Sequence, residues 1–365
     1  MIYQYKLFYY NKLKMQSNMY SSISYNDNNF IEKLITEFKK NGIVVINDIL
    51  TDEECDQHVD NIVDDFCNLG SGIDKNNIKN TWIDENLPPQ TRPGLFQALI
   101  GNLNSVWTIR SNNKIHNIFK LLYSNLRDKH VDDFIVSGDG INVKPGFMGP
   151  FEQDWIIKQS PTWAHFDQTS NDDIYKCIQG QMVLTNTSAS FVGSPGSHLS
   201  YLELLNKHNK VSTTNWWKFN DKDIKDIKNT IIKNGGQWQI PILAKKGSFI
   251  IWSSTTAHSA KLQNKIEFGK PNDKYFGWRC IVYVSYRPKC EFSVKDLQKR
   301  ILAYETNRVT NHWSTKIFPK IPNYFVNNMD KKNNVIKEMV QNPTLVYDKL
   351  GKPNLTEEEL KLIGC

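Results

Sequence analysis

Between residues 28 and 41 the apolar positions fall at Phe30, Leu34, Ile35 and Phe38, a spacing that lines one face of a helix, and Gly42 stands where that helix must stop. Ile43-Val44-Val45-Ile46 follows as a short apolar run with the character of a buried strand. Thr51-Asp52-Glu53-Glu54 is a capping box with acids on the first turn, and it predicts a second helix. Cys55, Val59, Ile62, Val63 and Phe66 form its apolar stripe, and Gly70 ends it. Residues 71–110 lose the period; Trp82, Pro88-Pro89 and Pro93-Gly94 predict ordered but irregular chain. A third helix is expected over 113–127, with Ile115, Ile118, Phe119, Leu122 and Tyr123 inward and His116 an ordinary helical histidine. Phe134-Ile135-Val136 and Ile141-Asn142-Val143-Lys144, separated by Asp139-Gly140, predict a hairpin that Pro145 closes.

From 163 to 287 the pattern turns mainly to β, with strands expected at 163–168, 175–185, 189–193, 238–243, 248–252 and 279–287. Many short strands separated by Gly-rich turns argue for a sandwich or a closed barrel. An insert at 199–234 reads as helical, with Ile224, Ile227 and Ile231 on one face and Gly235-Gly236 after it. Residues 291–365 return to helix and loop, and Leu355-Thr356-Glu357-Glu358-Glu359-Leu360 marks one more capped helix start. The chain has no internal repeat and no linker long enough to divide it. One domain is expected over 28–365, with its β core at about 134–290, preceded by a flexible tail over 1–27.

Composition narrows the function classes. The 365 residues include ten Trp, which excludes a disordered composition. The net charge of +7 is spread along the chain, and no zinc finger, basic-region helix or other nucleic-acid motif accompanies it. Six cysteines occur without a CxxC pair or framework spacing, so free thiols in a reducing, cytoplasmic-type compartment are expected. There is no long apolar run to span a membrane, and the first residues, MIYQYKLFYYNKLKMQ, lack the apolar stretch and cleavage site of a signal peptide.

Candidate chemistry centres on Trp163-Ala164-His165-Phe166-Asp167-Gln168. On a strand Trp163, His165 and Asp167 share a face. An imidazole and a carboxylate side by side can supply two ligands of a 2-His-1-carboxylate site, which leaves positions open on Fe(II). Downstream, Lys246-Gly247-Ser248-Phe249-Ile250-Ile251-Trp252 leads to His258, and Gly277-Trp278-Arg279 opens an apolar strand. A third ligand followed by an arginine suits a metal site with a dicarboxylate co-substrate, whose far carboxylate needs a bidentate cation. His198, in the turn Ser194-Pro195-Gly196-Ser197-His198, is a competing histidine, expected to shape the pocket beside the metal and not to bind it.

These segments together resemble the phytanoyl-CoA dioxygenase-like family of Fe(II)/2-oxoglutarate oxygenases. Asn41–Ile46 with the capped helix, His165-Phe166-Asp167-Gln168, Ser194–His198, and Gly247–Trp252 through His258 to Arg279 carry the resemblance, which covers residues 30–290. It implies a double-stranded β-helix, a jelly-roll barrel flanked by helices, in an α+β chain. It also implies Fe(II), 2-oxoglutarate and O2 as reactants, with ascorbate as a stimulant. Succinate and CO2 would be released as a C–H bond is hydroxylated. By the resemblance His165, Asp167 and His258 bind the metal and Arg279 pairs with the distal carboxylate of 2-oxoglutarate. The chain departs from the family in a longer connection between His258 and Arg279, and in Ala260, where the family often has Ser or Thr. Ser259, Lys144 or Asn142 are candidates to compensate, and Gln168 and Gln179 to reach co-substrate or substrate. Trp163 and the pair Trp216-Trp217 are candidates for the pocket wall and a lid, against a plain packing role for each.

The function expected is therefore a non-heme iron hydroxylase acting on a small molecule. Two other readings remain open: a binding protein that kept the barrel and lost turnover, and an oxygenase acting on nucleic acid or protein. Arg279 and Arg287 are expected on one strand; if that strand pairs antiparallel with the strand of His258, the residue opposite His258 comes early in it, which favours Arg279.

Overall fold

The computed structural model describes residues 22–92, 94–127, 131–146, 163–186, 191–212, 216–260, 270–318 and 329–365. The N-terminal segment before residue 22 and residues 261–269 of the His258–Arg279 connection lie outside the described residues. The first described residues are not loose, although they fall within the span expected as a tail: β1 (Ser22–Ser24) pairs in parallel with β2 (Ile43–Asn47). Between them runs α1 (Phe30–Asn41), and Gly42 closes it in the left-handed region at φ 66. The helix α2 (Asp52–Asn68) begins at the expected capping box, with Thr51 accepting from Glu54 N and the Glu54 side chain reaching back.

The stretch 71–110 holds more order than its sequence announces: a hairpin of β3 (Gln90–Arg92) and β4 (Leu95–Phe96), then the short helix α3 (Asn104–Arg110). The helix α4 (Asn113–Leu126) buries the five apolar residues expected of it. The strands β5 (Phe134–Val136) and β6 (Ile141–Lys144) follow, but they are not a hairpin: they belong to different sheets. Asp139-Gly140 is a crossing point, not a turn; a Cβ on Gly140 would lie 2.4 Å from the Phe96 carbonyl oxygen.

The β core comprises β7 (His165–Phe166), β8 (Ile178–Val183), β9 (Phe191–Gly193), β10 (Trp217–Lys218), β11 (Ile240–Pro241), β12 (Phe249–Ser253), β13 (His258–Ala260) and β14 (Arg279–Val284). The short β15 (Tyr286–Pro288) follows. An eight-stranded sheet runs β1-β2-β12-β8-β14-β6-β4-β3, and a five-stranded sheet runs β10-β7-β13-β9-β11. Apart from β1 with β2, the pairings are antiparallel, and among the described residues neither sheet closes on itself.

The alternation in β8 explains the layering. Ile178 and Met182 point into the core shared with α1, α2 and α4, whereas Gln179, Gln181 and Val183 point the other way. Val183 joins Ile43, Val45, Ile250, Trp252 and Ile281 of the large sheet, and Phe191 and Ile242, in a second apolar cluster. The central strand β8 is thus buried on both faces.

The insert contributes α5 (Tyr201–Lys207) and α6 (Ile224–Lys233) as expected, and a strand that was not: β10 adds to the edge of β7, with Lys218 opposite His165. Ile227 and Ile231 pack with Phe166, Tyr201, Leu204, Trp217 and Phe219, so the insert backs the strand that carries His165. The C-terminal region adds α7 (Val294–Glu305), a hairpin of β16 (Val309–Thr310) and β17 (Ile317–Phe318), then α8 (Asn334–Gln341), α9 (Leu345–Leu350) and α10 (Glu357–Ile363), the last starting at the expected capping box on Thr356. Among the described residues no helix is long and apolar enough to cross a membrane.

Candidate metal centre

The strands β7 and β13 are antiparallel neighbours, and their register sets His165 directly opposite His258. Asp167 follows one residue after β7 ends, on the side of His165. The three offer ligand atoms that all lie within 4.8 Å of one another, and all three residues are buried. His165 Nε2 is 3.3 Å from Asp167 Oδ1, and His258 Nε2 is 3.2 Å from Asp167 Oδ2.

The tautomers follow from the opposite ring nitrogens. His165 Nδ1 is 3.0 Å from the Trp163 carbonyl oxygen, and His258 Nδ1 is 2.9 Å from that of Thr256. A carbonyl oxygen only accepts, so each Nδ1 carries a proton and donates it, and each ring turns Nε2 toward Asp167. Burial, opposed by Asp167 and aided by His258, lowers the pKa of His165 and keeps its ring neutral. Burial pushes Asp167 upward, but the imidazoles of His312 and His165 and hydrogen bonds with His165 and His258 outweigh it and hold the carboxyl well below the usual carboxylate range. Two imidazoles and a carboxylate therefore converge on one point. Their donor set fits Fe(II) and similar first-row metals.

Asp167 is tied down on every side. Its N–H donates to the Ser254 carbonyl at 2.9 Å, its carbonyl accepts from Trp313 Nε1 at 3.0 Å, and Gln179 Nε2 donates to Oδ2 at 3.1 Å. Gln179 is thus a support of the carboxylate. Trp163 lies against the cluster: its ring stacks on His165 at 4.7 Å and 19°, and the Arg92 guanidinium lies 3.6 Å from its ring centroid. Its Nε1 donates to the carbonyl of Ala260 at 3.0 Å. Trp216 is half exposed with its ring 6.0 Å from His165, whereas Trp217 is buried in the packing core of the insert.

Arg279 is buried on β14, opposite Lys144 of β6, and its Nε donates to Asn142 Oδ1 at 2.9 Å. It also hydrogen-bonds Tyr283, four residues along the same face. Burial, then the neighbouring Arg279, brings the Lys144 ammonium down to about 8. Two expectations about this strand need correction. It does not pair with β13, which lies in the other sheet. Nor does it reach Arg287: the ladder breaks at Ser285, and Arg287 sits on β15 beside β5, held by the Trp313 carbonyl at 2.9 Å and Glu291 at 2.8 Å.

Three other candidates lie away from the cluster. Ser259 alternates with His258 to the far face, where its hydroxyl donates to Gln239. Gln168 is consumed in its own loop: its Nε2 donates to the Ser170 and Asp173 carbonyls and its Oε1 accepts from Ser254. His198 does not face the pocket. Its Nε2 meets the Lys39 carbonyl at 3.0 Å, and its Nδ1 would lie 2.5 Å from a Cβ on Gly42, so it fills the corner between α1 and β2. Conversely, Arg92, His312 and Trp313 were missed. Arg92 sits in a stretch without period, and the other two lie outside the span of the family resemblance.

No protein-family profile matches the chain. The Ava biosynthesis cluster protein O of Aspergillus versicolor is 26% identical over 146 residues, 40% of this chain, and the chain spans only 43% of that relative's length. Among solved structures, GlcNAc Inducible Gene 2, GIG2 (DUF1479), from Candida albicans superimposes with a TM-score of 0.52 at 14% identity, over 94% of this chain and 83% of its own. The epimerase SnoN from nogalamycin biosynthesis, solved with Fe3+, alpha ketoglutarate and nogalamycin RO, reaches a TM-score of 0.42 at 11% identity over 72% of this chain and 85% of its own, too low a likeness to bear on the chemistry. The chain thus shares its overall fold with GIG2, along nearly its whole length.

Proposed function

We propose that the protein is an Fe(II)- and 2-oxoglutarate-dependent dioxygenase of the phytanoyl-CoA dioxygenase-like kind that hydroxylates a small molecule and releases succinate and CO2. The observation that carries this is the convergence of two imidazoles and a carboxylate in a buried site, with ligand atoms all within 4.8 Å of one another. Fe(II) bound there would supply O2 activation coupled to oxidative decarboxylation of 2-oxoglutarate. His165, Asp167 and His258 would hold it, the Trp163 and Thr256 carbonyls fix the two rings, and Gln179 fixes the carboxylate. Arg279 and Lys144 face each other across a strand pair, two cations that one anion can bridge. The distal carboxylate of 2-oxoglutarate is the anion they suit, and Arg279 can meet it with a planar fork.

Anaerobic addition of Fe(II) and 2-oxoglutarate should give the weak visible charge-transfer band of the complex. The band should be lost in His165→Ala and in His258→Ala. Succinate should form in air when ascorbate and a substrate are present. Iron retained at wild-type stoichiometry in both variants rejects the triad.

A further inference from the structure

The hairpin of β16 and β17 brings a fourth imidazole to the metal centre. Its turn, Asn311–Lys316, is held tight by Asn311 N on the Lys316 carbonyl at 3.0 Å and Ser314 N on the Asn311 carbonyl at 2.8 Å. Its base is clamped to the body of the protein, with Thr310 N on the Gly138 carbonyl at 2.8 Å and Gly138 N on Thr310 Oγ1 at 2.9 Å. Its tip is clamped by Trp313, whose indole donates to the Asp167 carbonyl and whose own carbonyl accepts from Arg287. The Arg287 guanidinium also lies 4.9 Å from the Trp313 ring centroid. His312 is therefore placed as firmly as the candidate ligands.

His312 Nε2 is buried and has no hydrogen-bond partner among the described residues. It lies 3.9 Å from Asp167 Oδ2, too far for a hydrogen bond, while that oxygen already meets Gln179 Nε2 at 3.1 Å and His258 Nε2 at 3.2 Å. A buried polar nitrogen without a partner is costly, so a clamp that fixes it there needs a reason. The spacing supplies one. With metal–ligand bonds of about 2.1 Å, ligand atoms at neighbouring positions are roughly 3 Å apart. An oxygen bound beside Asp167 can then lie roughly 3 Å from both Asp167 Oδ2 and His312 Nε2.

We propose that His312 is a binding residue of this site, whose Nε2–H donates to the carboxylate oxygen of an acid that chelates the metal beside Asp167. The inference rests on the metal reading above and adds a second anchor for the 2-oxo acid, at the end opposite Arg279. It assigns the C-terminal hairpin, outside the span of the resemblance, a direct part in binding.

The test uses the full chain loaded with Mn(II), with free metal read by its EPR signal, and two acids: 2-oxoglutarate, and oxalate, which chelates without a distal carboxylate. His312→Phe keeps a ring in the packed turn and removes the donor; His312→Gln keeps an N–H. The result expected is unchanged Mn(II) affinity in both variants and about ten- to hundredfold weaker binding of both acids to His312→Phe, with much of that loss recovered in His312→Gln. Wild-type affinities for both acids in His312→Phe overturn the inference. Mn(II) affinity that falls as far as acid affinity also overturns it, because His312 would then act on Asp167 and not on the ligand. Wild-type protein that binds no Mn(II) instead defeats the metal reading itself, and this inference with it.

Discussion

Gln179 gives the sharpest test of how the sheet supports the metal centre. It is buried on β8 opposite Trp252 and spends its Nε2 on Asp167 Oδ2 at 3.1 Å. Gln179→Leu keeps nearly the same volume and removes only the donor. The Asp167 main chain should stay in place, because its N–H and carbonyl are fixed by Ser254 and Trp313. What is lost is the constraint on the carboxylate rotor, so the metal must pay the ordering that Gln179 now supplies in advance. Such supports typically change metal affinity about ten- to hundredfold, or ~1.4–2.7 kcal/mol. The control is Gln181→Leu, the same change two residues along the same face, at a side chain whose Oε1 has no hydrogen-bond partner among the described residues. Mn(II) titration followed by EPR should show the loss in Gln179→Leu and none in Gln181→Leu. A Gln179→Leu protein within twofold of wild type, or equal losses in the two variants, would refute the reasoning.

Arg279→Ala should raise the 2-oxoglutarate dissociation constant about ten- to hundredfold through loss of a charge-assisted pair, while Arg287→Ala changes it little; isothermal titration with the Mn(II) protein decides, and the reverse order rejects the assignment. Gly42→Ala should destabilise the fold by ~2–4 kcal/mol in urea denaturation, because Gly42 sits at φ 66 and the new Cβ would lie 2.5 Å from both His198 Nδ1 and Thr256 Oγ1; a loss under ~1 kcal/mol would mean the corner yields easily. Burial, partly offset by the Lys39 carbonyl, brings the His198 imidazole down to about 4. The unfolded chain then binds a proton between pH 6.5 and about 4 that the folded chain refuses, so stability is full above 6.5 and falls by up to ~3 kcal/mol as pH drops through that window. His198→Asn should flatten this limb of the stability–pH curve and leave Mn(II) affinity unchanged; an identical limb in the variant would place the acid sensitivity elsewhere.

Helices were legible where a period of apolar residues met a cap: Thr51 and Thr356 both form the capping boxes that their sequences spell, and Gly42 ends α1. The three candidate ligands were legible because a β register turns a two-residue spacing into a shared face, and because His258 follows a recognisable turn and strand. Strand partnership was not legible. Asp139-Gly140 looks like a hairpin turn, yet β5 and β6 part into different sheets, since what decides their partners is β14 and β15 arriving more than a hundred residues later. The same gap misplaced Arg287, because a single ladder break at Ser285 cannot be seen in an apolar run. Ser259 and Gln168 were misjudged for another reason: proximity in sequence to a ligand says nothing of which face a side chain takes or which carbonyls compete for it.

Asp167 shows why the C-terminal region belongs to the site and is no appendage. Its side chain is oriented by β8, its N–H by the segment that leads into β13, and its carbonyl by Trp313 at the tip of a hairpin near the far end of the chain. That tip is held in turn by Arg287, which is paired with Glu291, and Glu291 also binds Arg127 at the end of α4. Loosening any of these segments frees one of the three restraints on the same carboxylate. The energetic consequence is coupling: Trp313→Ala and Gln179→Leu, each acting on Asp167 from a different side, should not be additive in metal affinity. A double-mutant cycle with a coupling energy near zero would mean that the main chain of Asp167 is held well enough without the hairpin.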